Sequence, residues 1–252
     1  MNQEQILSCA LDIGEQMLIS GAEVSRVEQT VRMICLAYGC QRADVFTITS
    51  SMVLTAQAPD GAHATQTRRI TGAVTNLTKL HKLNALSRQI CAEKPDYAAV
   101  QTQLNTICAE PAYPLWLQVL AGGIIAFAFT LFFGGSWIDG AVASVLGVAL
   151  QLLTKVLQKY AANQIIVNVI ASFTLSIGAI LLVRAGLGED VNKILIGNIM
   201  LLIPGIALTN ALRDLIGGDI MTGFLRFLDA VLVAAAIAAG YILAAHLLGG
   251  GL

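Results

Sequence analysis

Asn210, Arg213, Asp214, Asp219, Thr222, Arg226 and Asp229 crowd into residues 201–233, LLIPGIALTNALRDLIGGDIMTGFLRFLDAVLV, between two apolar runs. A guanidinium can hold a carboxylate through two parallel hydrogen bonds, and a carboxylate can hold an ammonium group or carry a proton. On a helix, Asn210 and Asp214 share a face with Arg213 beside them, and Thr222, Arg226 and Asp229 fall on one stripe. These seven are the candidate substrate-binding residues. Asp229 lies about ten residues into an apolar run, roughly 15 Å of helical rise. A charge at the centre of a bilayer costs on the order of 2.5–3.5 kcal/mol. Arg226 and Asp229 are therefore expected to face a protein-lined interior. Two readings stand there: a self-neutralising pair three residues apart, or a site for a substrate carboxylate and a proton.

The same stretch carries the residues that could break or gate its helices: Pro204, Gly205, Gly217, Gly218 and Gly223. Proline removes one helical hydrogen bond, here to the carbonyl of Met200, and glycine beside it is a weak point. A kinked helix with freed backbone groups beside charges is an arrangement that transporters use. Asn168, Asn198 and Asn210 could add polar contacts between helices.

The elements that must position these groups follow from composition. The 252 residues are 56% hydrophobic and only 12% charged, against about 25% charged in soluble domains. Residues 1–114 hold 19 of the 31 charged side chains, so two parts are expected: an α+β domain over 1–112 and an all-α polytopic membrane domain over 113–252. About five spans of bilayer length are expected, near 115–133, 137–154, 164–183, 193–212 and 220–248. GGSW alone joins the first two. Small residues four apart (Gly140 and Ser144, Ala143 and Gly147, then Ala230, Ala234 and Ala238) suit close helix packing, within the chain or against a partner.

In the first part, Ile6, Leu7, Ala10, Leu11, Met17 and Leu18 repeat at helical spacing up to Gly21, and Val24, Val27, Val31, Ile34 and Tyr38 do so up to Gly39. VFTITSSMVLTAQ and HATQTRRI read as strands, with Pro59-Asp60-Gly61 as turn chemistry. Two further helices complete the order α, α, β, β, β, α, α. The N-terminus has no basic segment followed by an apolar one, so no signal peptide is expected and the first domain is placed in the cytosol. That puts Lys155, Lys159 and Arg213 inside and Arg184 and Lys193 outside, at a plasma (inner) membrane. The net charge of −1 gives no footprint for nucleic acid. Cys9, Cys35, Cys40, Cys91 and Cys108 show no CxxC spacing, so neither a metal site nor a cofactor is expected.

SGAEVSRVEQTV, SSMVLTAQAPDGAHATQTRRI and PGIALTNALRDLIGGDIMTGFLRFLDA together resemble the threonine/serine exporter family, in its short, YjjP-type half-transporter form. The resemblance runs over essentially the whole chain. It implies a multi-spanning exporter of small hydrophilic metabolites, threonine and serine being the family's namesakes and succinate being linked to short members. By residue match it carries over Pro204, Asn210, Asp214, Gly218, Asp219, Gly223 and Arg226. Long members continue into a second membrane domain, so a second small integral membrane subunit, or a homo-oligomer, is the expected partner besides lipid and substrate. Without a GxxxxGK[ST] pattern, ion or proton coupling is expected. Two other classes compete. Ser50, Ser51, Asp60 and His63 are ingredients of a hydrolase, without the GxSxG elbow. Alternatively, the first domain could sense or assemble, with Glu23, Arg26 and Glu28 forming a salt-bridged face.

Overall fold

The computed structural model describes residues 1–72, 74–111, 113–160 and 163–248; Ala112, where the expected domain boundary falls, lies outside them. The chain forms two compact units: one of Met1–Glu110 with Ile206–Phe227, the other of Pro111–Gly205 with the chain from Leu228 onward.

In the first unit, α1 (Gln3–Ile19) opens on a reciprocal cap between Asn2 and Gln5. It stops at Gly21, whose φ of 92° suits glycine, and the Ala22 amide turns back to the Met17 carbonyl. α2 (Val24–Ala37) follows. The strands β1 (Arg42–Ile48), β2 (Ser51–Gln57) and β3 (His63–Arg69) form an antiparallel sheet in that order. Alternation turns Met52, Leu54 and Ala56 of β2 inward. They join Leu7, Leu11, Ile34, Leu83 and Ile90 in a core completed by α3 (Leu77–Glu93) and α4 (Tyr97–Ala109). The element order is the one expected from the sequence.

The second unit contains α5 (Leu115–Phe132), α6 (Trp137–Tyr160), α7 (Gln164–Arg184) and α8 (Val191–Ile199). Two more helices complete the chain, α9 (Gly205–Ile216) and α10 (Ile220–Leu247). Among the described residues, four helices are long and apolar enough to cross a membrane: α5, α6, α7 and α10. The expected fourth span, 193–212, is not one helix. It divides into α8 and α9 around 200–204, where the Leu201 and Leu202 amides bond three residues back and Pro204 has no amide to offer. α10 has the bounds expected for the last span, and its first eight residues, 220–227, belong to the first unit. What remains, Leu228–Leu247, rises about 30 Å, the thickness of the hydrocarbon core.

Small residues set the packing of the helical unit. A side chain on Gly197 of α8 would meet the Thr130 hydroxyl at 2.0 Å and the Ala126 carbonyl at 2.8 Å, so α8 lies backbone to backbone on α5. Ala143 and Gly147 of α6 take part likewise: Ala143 is buried, and a side chain on Gly147 would strike Ala126. On α10 the expected small-residue stripe points partly outward. Ala230 is buried while Ala234 and Ala238 are exposed, and Ile237, Gly240 and Ala244 face inward instead. The Ser172 hydroxyl donates to the Ile237 carbonyl (2.7 Å), tying α7 to α10. Asp139, a buried carboxylate in the first turn of α6, accepts from the amides of Ser136, Glu189 and Asp190 and so clasps the loop between α7 and α8.

Candidate functional site

α9 buries Ala211 and Asp214, and after Gly217-Gly218 the chain reverses into α10. Gly218 has a φ of 96°, and the Asp219 amide bonds back to the Asp214 carbonyl (2.9 Å). Gly223 lets the helices touch: a side chain there would strike the Leu215 backbone at 2.7 Å. Arg226 therefore reaches back across the turn. Its Nη1 donates to Asp214 Oδ2 at 2.7 Å and its Nη2 to the Ala22 carbonyl at 3.1 Å. The Val24 backbone amide also bonds to the Asp214 carboxylate. Asn210 Nδ2 donates to the Gly21 carbonyl (3.2 Å), Arg213 pairs with Glu23, and the Thr222 hydroxyl reaches the Thr47 carbonyl at 3.4 Å. The Asp214 side chain is 1% exposed and that of Arg226 17%. Burial pushes the Asp214 carboxyl above its ordinary range, against the pull of Arg226.

Most of the polar knot is thus one joint, fastening α9 and the start of α10 to the corner between α1 and α2. Arg226 does not pair with Asp229. Its partner lies on the preceding helix, while Asp229 is exposed and has no ion pair among the described residues. Asp219 stands just ahead of α10, and Gly205 opens α9. Glu23, Arg26 and Glu28 form no salt-bridged face: Glu23 turns to Arg213, and the other two have no ion pair among the described residues. The hydrolase set does not converge. Ser51 pairs with Arg69 and His63 with Gln57, at opposite ends of β2 and about 20 Å apart. Asp60 accepts from the Ala62 amide in its turn (3.0 Å).

The helical unit holds a different kind of site. Pro204 and the break at 200–204 border a cleft of about 270 Å³, with polar walls from Gln151, Thr154, Gln158, Gln164 and Asn168. Gln164 donates to Asn168 Oδ1 at 3.1 Å, and Asn168 is buried. Among the described residues, no ionisable side chain lines the cleft. Asn168 was legible as a polar residue in an apolar helix. Gln151 and Gln158, seven apart on α6, carry a helical spacing that could have marked them. Asn198 is buried nearby in sequence, but its amide bonds the Ile194 carbonyl of its own helix (3.0 Å).

The family model described as "Putative threonine/serine exporter" matches residues 8–248. The chain belongs to the threonine/serine exporter family. Relatives agree with that membership. A Klebsiella aerogenes protein named "Probable succinate transporter subunit YjjP" is 27% identical over 241 residues, 94% of this chain and 90% of its own. An Escherichia coli K12 protein of the same name is 26% identical, covering 96% of this chain and 94% of its own. The "Threonine/serine exporter" of Corynebacterium glutamicum is 26% identical over 93% of this chain, which spans half of that protein's length. No solved structure matches. Family membership and four long apolar helices make this a membrane protein of the exporter class.

Proposed function

We propose that the chain is a component of a secondary, ion- or proton-coupled exporter of threonine and serine, with the cleft at the helix break as its substrate site. The observation carrying this is the cleft's neutrality: its polar lining is amides and a hydroxyl, with no cation among the described residues. A zwitterion needs no net countercharge, whereas an unpaired dianion in a low-dielectric site is heavily penalised. Neutral amides and backbone groups freed by Pro204 can serve both the ammonium and carboxylate ends. On this reading Arg226 and Asp214 position the helices, and substrate chemistry belongs to Gln151, Gln164 and Asn168. The N-terminal domain faces the cytosol, and a second small integral membrane subunit, or further copies of this chain, complete the transporter. That partner reading draws on the word "subunit" in the names of two relatives.

A second reading has a specific support. The chain covers most of the two proteins named for succinate but half of the one named for threonine and serine. Cells expressing the chain, loaded separately with a threonine dipeptide and with succinate, discriminate the two. Faster threonine efflux, lost in Asn168→Leu, is expected; faster succinate efflux with threonine unchanged would reverse the assignment.

A further inference from the structure

A groove in the N-terminal unit has no part in that reading. It measures about 960 Å³ and lies between α2 and α3, with Asn210 and Arg213 of α9 at its margin. Arg26 and Thr30 line it from α2, and Asn84 and Arg88 from α3, each pair one helical turn apart. Met17 and Leu80 give it apolar lining.

The charge is unbalanced. Three arginines line the groove against one acid, Glu23, which is already paired with Arg213. Arg26 and Arg88 have no ion pair among the described residues. Unengaged guanidiniums are forks built for oxyanions, and a concave wall concentrates their field. The groove is also over three times the volume of the cleft between the helices, large for a single small amino acid.

We infer that the groove binds a small organic dianion, one acidic group on Arg26 and the other on Arg88, with its carbon body against Met17 and Leu80. Dicarboxylates and organic phosphates share that chemistry. The site is independent of the transport reading, because it lies on other elements and selects charge rather than neutrality. Its presence would let metabolite anions control the protein through the corner that Glu23, Arg213 and Asn210 share with the groove.

The test titrates the purified full-length chain in phosphatidylcholine nanodiscs with glutarate and with phosphoglycolate, followed by calorimetry, with 1,5-pentanediol as the uncharged control. Saturable binding of at least one anion is expected, with Kd below about 1 mM and weakening as salt rises. Arg26→Gln or Arg88→Gln is expected to weaken it at least tenfold, roughly one hydrogen-bonded charge. Both are exposed, so the variants should melt like the parent. Asn168→Leu should leave binding unchanged. Preference for glutarate assigns the site to dicarboxylates, and preference for phosphoglycolate to organic phosphates. Failure of both to saturate by about 10 mM, or undiminished binding by the double Arg26→Gln, Arg88→Gln variant, overturns the inference.

Discussion

Replacing Arg226 by alanine leaves the Asp214 carboxylate with its side chain 1% exposed and without its cation. The Ala22 carbonyl also loses a donor. Removing one partner of a buried pair costs about 3–5 kcal/mol. The lower end applies here, because Arg226 is itself 17% exposed and water can follow into the vacated space. The Val24 amide reports the loss directly, since it bonds Asp214. Three kcal/mol corresponds to about a hundredfold faster hydrogen exchange at that amide, if local opening governs it. Replacing both residues, Asp214→Asn with Arg226→Met, removes the stranded charge and should recover most of the protection. The pair should then show a coupling energy above about 1 kcal/mol. Wild-type exchange in Arg226→Ala, or losses from the two single variants that simply add, would refute the joint.

Two further outcomes follow from packing and burial. Gly197→Ala places a methyl group against the Thr130 hydroxyl and the Ala126 backbone, forcing α8 away from α5; a loss of about 1–3 kcal/mol should appear as a lower melting temperature in nanodiscs. Burial holds the Cys9 and Cys35 thiols at about 12, so both stay protonated at neutral pH. A maleimide at pH 7 should label exposed Cys108 first and Cys9 and Cys35 only after unfolding, as read by mass spectrometry of peptides.

The N-terminal domain was legible because its patterns are local. The alternation through Met52, Leu54 and Ala56 and the glycine stops at Gly21 and Gly39 need no knowledge of distant contacts. Residues 193–212 carry two signals that point different ways. Hydropathy averages apolar content, and Leu201, Leu202 and Ile203 contribute fully to it, whereas the break depends on the missing amide of Pro204 and on turn hydrogen bonds. The partner of Arg226 was hidden in a different way. Asp229, three residues on, and Asp214, twelve back, are equally available in the sequence. Only the reversal at Gly218 and the distant Gly21–Val24 corner choose between them. The cleft was the least visible feature, because Gln151, Thr154, Gln158 and Gln164 converge only through the packing of α6 and α7.

The most direct measurement is uptake of labelled threonine by inverted membrane vesicles from cells carrying either the parent chain or Gln151→Leu with Asn168→Leu, matched for the amount inserted. Gradient-driven uptake by the parent that falls to background in the variant, with hydrogen exchange at Val24 unchanged, is the expected result. Equal uptake by both would contradict the assignment of the cleft as the route for substrate.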